Sequence, residues 1–140
     1  MKIYGVLLTF PPAAADTLTA FFRDTATSPP AYDAIFTGDL GTIGSECLYA
    51  LLAEEKIDIK PVHIDCGTLI FDCKKQDVHA GGSGCGCSAS VLATYILNRF
   101  KSGEYKNVLF MSTGALLSPT SSFQGESIPG IAHLLNIKTD

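Results

Sequence analysis

The chain has few charged side chains and no cluster of positive ones. Charged residues make up 17% of its 140 positions, against about 25% in an average soluble domain. The formal net charge is −4, and no segment interleaves arginine with aromatic residues. Nucleic-acid-binding proteins present basic surfaces to phosphate groups, so this composition argues against nucleic acid as a partner.

The cysteines also lack the spacing of common cysteine sites. There are five of them, and none forms a CxxC pair. An odd number in a chain long enough for a real core argues against a framework of disulfides. We therefore expect reduced thiols in a reducing compartment.

Long apolar runs are missing as well. No segment approaches the ~20 apolar residues that a transmembrane helix requires. The apolar run near the N-terminus is short and is interrupted by Gly5 and Thr9. We interpret Lys2–Phe10 as a buried strand rather than a secretory signal.

Apolar residues as a class are nevertheless abundant. They make up 46% of the chain, and the mean hydropathy is +0.25. Such a composition predicts either a large core or an apolar surface that faces another protein. The length predicts a single domain over residues 1–140.

Strand-like and helix-like segments alternate along the chain. The predicted strands are Lys2–Phe10, Ala34–Gly38, Pro61–Asp65, Asn107–Ser112 and Gly130–Ile137. The predicted helices are Ala13–Thr25, Leu40–Lys56 and Ser83–Phe100. This order predicts an α/β fold with a mostly parallel sheet, and the last two strands, which have no helix between them, should run antiparallel. Cys66–Asp77 is expected to form an extended, hairpin-like excursion.

The most unusual segment is Val78–Ser90, which reads VHAGGSGCGCSAS. Metal binding is one interpretation, with candidate ligands Cys66, Cys73, His79, Cys85 and Cys87. Zinc sites generally carry paired CxxC or HxxxH spacings, and neither occurs here. We therefore predict no metal site and interpret the cysteines as buried or helix-start residues.

Anion binding is a second interpretation of this segment. A glycine-rich start to a helix offers free N–H groups and the positive end of the helix dipole. The GxxxxGK[ST] and GxGxxG motifs of nucleotide-binding loops are absent, but a small carboxylate would need only two or three donors. The alternative is that Gly84 and Gly86 merely allow close backbone packing.

Nucleophilic catalysis is a third interpretation, with Cys85 or Cys87 paired to His79 or His133. No nucleophile-elbow motif supports it. His63 is interpreted as a strand or surface residue. The long loop after Asn107–Ser112 carries polar residues that either line a pocket or face solvent. They are Thr113, Ser118, Thr120, Ser121, Gln124 and Glu126.

Four stretches of the chain carry a family resemblance. They are PAAADTL, DAIFTGDLGTIG, VHAGGSGCGCSASVLA and VLFMSTGALLSPTSSFQGESIPGIAHLL. Together, over Pro12–Ile137, they resemble the stage V sporulation protein AD family of endospore-forming bacteria. The resemblance implies a thiolase-like fold built from two similar halves, each a five-stranded mixed sheet with helices on both faces. The chain would be the C-terminal half, and its partner an N-terminal half or a second copy.

The resemblance also implies that catalysis is absent. Thiolase-fold enzymes keep their cysteine nucleophile in the N-terminal half and use two further residues, a His and a His or Asn, from the C-terminal half. In this chain those two positions correspond to Gly38, beside Asp39, and to Cys85. A shifted alignment would place His79 at the second position. The pair is incomplete on either alignment, so the chain is expected not to be an enzyme and to need no cofactor.

The family function implied is binding of dipicolinic acid (pyridine-2,6-dicarboxylic acid) and assistance with its uptake into the developing spore. The implied partners are other membrane proteins of that uptake system, with the chain cytoplasmic or peripheral at the spore inner membrane. Candidate ligand-binding residues are Gly38, Asp39, His79, Gly84, Cys85, Gly86, Cys87, Ser88, Thr113 and Ser118. Two alternatives stay open: a thiolase-type acyl-transfer enzyme with a cysteine nucleophile, or an incomplete half whose role is assembly.

Overall fold

The computed structural model describes residues 10–72, 74–81, 84, 86–115 and 129–139. Helices and strands alternate through this part of the chain. In chain order they are α1 (Phe10–Thr25), β1 (Ala34–Thr37), α2 (Gly41–Glu54), β2 (His63–Asp65), α3 (Cys66–Leu69), α4 (Cys87–Val91), a π-helical turn (Leu92–Ile96), α5 (Leu97–Lys101), β3 (Asn107–Ala115) and β4 (Gly130–Lys138). A 3₁₀ turn at Pro29–Ala31 precedes β1.

The strands form one mixed sheet in the order β2-β1-β3-β4. Strand β1 pairs in parallel with both neighbours, so that Phe36 lies opposite Ile64 on one side and Phe110 on the other. Strands β3 and β4 are antiparallel, with Met111 opposite Leu134. The predicted α/β class and the antiparallel pairing of the last two strands are confirmed.

The described part of the sheet has four strands, whereas five were expected. The fifth predicted strand is Lys2–Phe10, and residues 1–9 lie outside the described residues. Phe10 itself begins α1 instead of ending a strand. Pro11 and Pro12 then occupy the first helical turn, where a missing N–H costs no hydrogen bond.

Helices cover both faces of the sheet, as expected. On one face Ile35 and Leu109 pack against Leu18 of α1 and Leu48 of α2. On the other face Phe36, Val108 and Phe110 pack against Val91 and Ile96 of the α4–α5 segment. All four residues of β1 are buried because this central strand has a helix layer on each side.

The expectation of a hairpin-like excursion at Cys66–Asp77 is wrong. Cys66–Leu69 forms the short helix α3 directly after β2, and the described residues after it form turns. The physical cause is local: the Asp65 side chain accepts a hydrogen bond from the Thr68 N–H at 3.2 Å. That contact is a helix N-cap, which starts a helical turn where an extended chain was predicted.

The predicted helix Ser83–Phe100 begins later than expected, at Cys87. Gly84 has φ +151°, a value that an α-helix does not contain. Val91 and Ile96 are buried, as their helical spacing predicts. Within the part of the chain that the structure describes, no helix combines the length and the apolar character needed to cross a membrane.

Candidate functional site

The parallel strands end along one edge of the sheet, and the loops that follow them meet there. Strand β1 leads into Gly38–Leu40, β2 into α3, and β3 into Thr113 near its end. This edge is where open α/β sheets bind ligands. It contains the starts of α2, α3 and α4, and those of α2 and α4 have different surroundings.

The start of α2 is filled by the carboxylate of Asp65, which is only 3% exposed. Oδ1 accepts hydrogen bonds from the Thr37 hydroxyl at 2.7 Å and the Leu40 N–H at 2.8 Å. Oδ2 accepts from the N–H groups of Gly41 at 3.0 Å and Thr68 at 3.2 Å. A buried carboxylate with four donors is well satisfied, and it neutralises the first turns of α2 and α3 at once.

A chain of hydrogen bonds connects this carboxylate to a tyrosine. The Thr37 hydroxyl donates its proton to Asp65. The oxygen of this hydroxyl therefore accepts from Nε2–H of His63, 2.9 Å away. Nδ1 of His63 is then unprotonated and accepts from the Tyr49 hydroxyl at 2.7 Å. Burial lowers the pKa of His63 to about 4, so the ring is neutral near pH 7. His63 is a strand residue, as one of its two interpretations held, and it belongs to a polar network.

At the start of α4, no side chain of the described residues caps the helix as Asp65 does at α2. The N-cap residue of α4 is Gly86, which offers no side chain to the first turn. The Oδ2 atom of Asp39 accepts from the Gly84 N–H at 3.4 Å. Its Oδ1 accepts from the Thr113 hydroxyl at 3.2 Å, so one acidic side chain joins three chain segments.

Two more contacts hold these segments close together. The Cys87 thiol lies 3.8 Å from the Gly38 carbonyl oxygen, to which it donates. A Cβ on Gly38 would lie 2.7 Å from Oγ1 of Thr113, so only glycine allows β1 and β3 to end this close to each other. The structure therefore brings together five of the predicted residues: Gly38, Asp39, Gly84, Cys87 and Thr113.

The other predicted residues have different positions. Gly86 is exposed and Ser88 is half-buried in the first turn of α4. The His79 side chain is 90% exposed, and its Nδ1 lies 3.5 Å from Oδ1 of Asp77. Cys85 and Ser118 lie outside the described residues.

The loop that carries His79 is held against α2. The carbonyl oxygen of Ala80 accepts the Thr42 N–H at 2.7 Å. A Cβ on Gly41 would lie 2.6 Å from the same oxygen. His79 itself has φ +51°, a left-handed conformation that histidine adopts more readily than most residues.

The described thiols at this edge are poor nucleophiles. Burial raises the pKa of the Cys87 thiol, and the carboxylates of Asp39 and Asp65 raise it further. Burial also raises the pKa of the Cys66 thiol, again with a contribution from Asp65. Both sulfurs are therefore protonated near neutral pH. Among the described residues no group of three His, Cys, Asp or Glu side chains converges as metal ligands do.

Sequence reasoning missed the buried network of Thr37, Tyr49, His63 and Asp65. One signal was available, because aspartate is a preferred N-cap residue and Asp65 stands at the end of a predicted strand. No comparable signal existed for Tyr49 and His63, whose contact joins a helix to an edge strand 14 positions away.

These features define the chain as an α/β protein with a mixed sheet, helix layers on both faces, and a candidate site at the carboxyl ends of its parallel strands. The family model of stage V sporulation protein AD matches residues 7–138. The chain is also 45% identical over 122 residues to stage V sporulation protein AD of Bacillus subtilis (strain 168).

The chain therefore belongs to the stage V sporulation protein AD family, as its motifs indicated. Membership of this family supports a role in sporulation. The alignment covers 87% of the chain and 36% of the Bacillus subtilis protein. The chain thus spans little more than a third of the length of that relative.

Proposed function

We propose that this chain binds dipicolinic acid at the start of α4 and assists its uptake into the developing spore without catalysing a reaction. The observation that carries the proposal is the hydrogen bonding of Asp39. The Gly84 N–H and the Thr113 hydroxyl already donate to a carboxylate at this position. A ligand carboxylate that displaces Asp39 gains the same two donors.

The helix start adds a favourable field for an anion. The first turn of an α-helix has N–H groups without intrahelical acceptors, and its dipole attracts negative charge. At α2 that field is already used by Asp65. At α4 the N-cap is Gly86, which has no side chain to occupy that field. The Gly84 N–H donates instead to Asp39, whose side chain is half-buried. The α4 start is therefore the better of the two for an external carboxylate.

The proposal that the chain is not an enzyme is supported by the surroundings of Cys87. A thiol acts as a nucleophile through its thiolate form, and burial together with Asp39 and Asp65 raises the pKa of this one. Gly38 has no side chain at the position where the family resemblance expects a histidine. Mass mapping after brief iodoacetamide treatment checks this, because rapid labelling at Cys85 or Cys87 would favour the acyl-transfer alternative.

Calorimetric titration with dipicolinate tests binding directly. We expect saturable 1:1 binding, with weaker binding of pyridine-2-carboxylate, which lacks one carboxylate. Thr113→Val removes a hydroxyl donor and should weaken binding about tenfold, since a hydrogen bond to a charged group contributes about 1.5–3 kcal/mol. Thr94→Val is the matched control, because that hydroxyl donates to Ser90 within its own helix. Absence of binding by both this chain and the full-length Bacillus subtilis relative would contradict the proposal.

We further propose that the chain works in an assembly, peripheral at the spore inner membrane, with the other membrane proteins of dipicolinate uptake. The support is its exposed apolar surface. Ile131 and Leu135, which lie on the same face of β4, are 49% and 57% exposed, which is high for large apolar side chains. The partner on this surface is an N-terminal half or a second copy of the chain. Light scattering after size exclusion should show a mass above 14.8 kDa, and a stable monomer would exclude self-association.

A further inference from the structure

The turn at residues 38–40 contacts both the Asp65 network and the ligand site proposed at α4. We propose that Thr37, the residue before this turn, is a positioning residue of that site and acts through Asp65. A ligand at α4 would touch neither residue, since Thr37 is 0% exposed and Asp65 is 3% exposed. This role presupposes the binding function proposed for the α4 start and adds the residue that holds its donors in place.

A single carboxylate fixes the turn from the side of α2. Oδ1 of Asp65 accepts from the Thr37 hydroxyl at 2.7 Å and from the Leu40 N–H at 2.8 Å. Oδ2 of Asp65 accepts from the Gly41 N–H at 3.0 Å. Hydrogen bonds to a carboxylate are roughly twice as strong as those between neutral groups. The chain is therefore held firmly both before and after the turn.

The same turn sets the spacing of the donors at α4. Asp39 accepts from the Gly84 N–H and from the Thr113 hydroxyl, and the Gly38 carbonyl accepts from the Cys87 thiol. Gly84 and Thr113 belong to different segments of the chain, and Asp39 is the residue that both of them contact. A shift of the turn would therefore change the distance between the two donors proposed for a ligand carboxylate.

Thr37 is an unusual residue for its place in the sheet. It ends β1, the strand with a neighbour on each side, and all four residues of that strand are buried. Thr37 lies directly opposite Asp65 in the parallel register. Its hydroxyl donates to Asp65 and accepts from Nε2–H of His63, so it is satisfied as a buried hydroxyl must be. An apolar side chain would fill the same space, so the hydroxyl is explained by these bonds and not by packing.

Binding sites depend strongly on such support from behind. Ligand-contacting groups must be held within about 0.5 Å of the binding geometry by residues that are themselves locked. Asp65 is locked, because both its oxygens accept from donors within the chain. Thr37 supplies one of these donors and links the carboxylate to His63. Loss of this hydroxyl should let Asp65 and the turn move together.

Two substitutions at Thr37 separate position from stability. Thr37→Ser keeps the hydroxyl and removes a buried methyl group, whereas Thr37→Val keeps the shape and removes the hydroxyl. Both should lower the midpoint of thermal unfolding, the serine variant through lost packing and the valine variant because Asp65 and His63 lose a partner. Only the valine variant should displace the turn.

The position of the turn is measured at the Gly84 amide in ¹H–¹⁵N correlation spectra without ligand. Its signal should move in Thr37→Val and stay at the parent position in Thr37→Ser, because Gly84 contacts the turn through Asp39. Thr27→Val is the matched control, since that hydroxyl lies before β1, 3.0 Å from the hydroxyl of Tyr32, and the Gly84 signal should not change. An unmoved Gly84 signal in Thr37→Val, or an equal shift in Thr37→Ser, would overturn the positioning role.

Calorimetry with dipicolinate measures the consequence for binding, at a temperature where all variants are folded. The dissociation constant should rise about fivefold in Thr37→Val, as for other changes that act through a network, and by less than about twofold in Thr37→Ser. Equal weakening in the two variants would contradict a role in positioning. If the parent chain does not bind dipicolinate, the proposed function fails, and the Gly84 signal still decides whether Thr37 positions the turn.

Discussion

Two of the helix starts at the carboxyl edge of the sheet, those of α2 and α4, have different groups at their positive ends. At α2 the positive end of the helix meets Asp65, a buried carboxylate from the neighbouring strand. At α4 it meets a glycine-rich turn, and the nearby Asp39 forms longer bonds of 3.2 and 3.4 Å. A helix start that holds an internal carboxylate contributes stability, whereas one bordered by glycine leaves room for an external anion. The comparison assigns a structural role to the first region and is consistent with the binding role proposed for the second.

Removing the internal carboxylate should have the largest effect on stability. Asp65→Ala leaves the N–H groups of Leu40, Gly41 and Thr68 without their acceptor, as well as one hydroxyl. We expect the free energy of unfolding to fall by about 3–5 kcal/mol, since each unsatisfied buried donor costs about 1–3 kcal/mol before relaxation. Urea denaturation measures this loss.

Asp39→Ala is the matched change at the other helix start. Its two hydrogen bonds are long, and the side chain is half-buried. The free energy of unfolding should change by less than about 1 kcal/mol. Equal losses for the two variants would mean that the α4 start is as dependent on its carboxylate as the α2 start.

Acid should weaken the α2 region through His63. Burial lowers the pKa of His63 from 6.5 to about 4. Between pH 4 and 6.5 this side chain is therefore mostly protonated in the unfolded chain and mostly neutral in the folded chain. The contribution of neutral His63 is complete above about pH 6.5 and is lost as the pH falls toward 4. The free energy of unfolding falls by about 3 kcal/mol in total, because each unit of pKa difference between the folded and unfolded chain contributes about 1.4 kcal/mol.

Denaturation between pH 4.5 and 6.5 checks this contribution. In His63→Gln the slope of the free energy of unfolding against pH should be markedly smaller in that window. His133→Gln, at an exposed position of β4, should keep the slope of the parent chain. If His63→Gln retains the full slope, other groups cause the acid sensitivity.

Adding one methyl group at each helix start should have opposite effects. Gly41 has φ +68°, and its added Cβ would lie 2.6 Å from the Ala80 carbonyl oxygen. Gly41→Ala should therefore cost about 2–3 kcal/mol, from left-handed strain and from the displaced loop. Gly86 has φ −98°, and no atom of the described residues lies within 4 Å of its added Cβ.

We therefore expect Gly86→Ala to stabilise the chain by about 0.4–1 kcal/mol, because alanine lowers the entropy of the unfolded state. Thermal unfolding of both variants measures the expected loss of stability at Gly41 and the expected gain at Gly86 in one experiment. A loss at Gly86 as large as that at Gly41 would show that the turn before α4 is packed as tightly as the turn before α2.

The smallest expected effect concerns ligand affinity at α4. If a ligand carboxylate displaces Asp39, the ionised side chain opposes dipicolinate by like charge. Asp39→Asn should then tighten dipicolinate binding about five- to tenfold, as expected for about 1 kcal/mol of repulsion at the protein surface. Calorimetry at two salt concentrations checks the sign, and weaker binding by the variant would show that Asp39 assists the ligand instead.

Much of the fold was predictable because apolar periodicity reports burial directly. The strand Ala34–Gly38 and the helix Leu40–Lys56 were predicted within two residues of their observed ends. The pairing direction of the last two strands followed from the absence of a helix between them. The segment after β2 was predicted wrongly because one capping side chain, Asp65, decides its conformation. The spacing of apolar residues carries no information about single polar contacts of this kind.

The candidate site was predictable in its glycines and much less so in its polar contacts. The glycine-rich segment indicated the α4 start, and the turn at Gly38 and Asp39 was expected beside it. His79 was named with them, yet its exposed side chain lies next to Asp77. Local sequence places residues along the chain, but a loop of several glycines has too many allowed conformations for its side-chain directions to be inferred.

By itself the sequence determined the α/β class, the alternation of strands and helices, the glycine-rich start of α4 and the family. These properties depend on residues close together in the chain, or on motifs that can be compared directly. Tertiary structure decided which helix start holds an internal carboxylate and which is bordered by glycine. Asp65 reaches Leu40 across 25 positions, and Asp39 reaches Thr113 across 74. The neutrality of His63 likewise arises from burial, which exists only once the sheet and its helices have packed together.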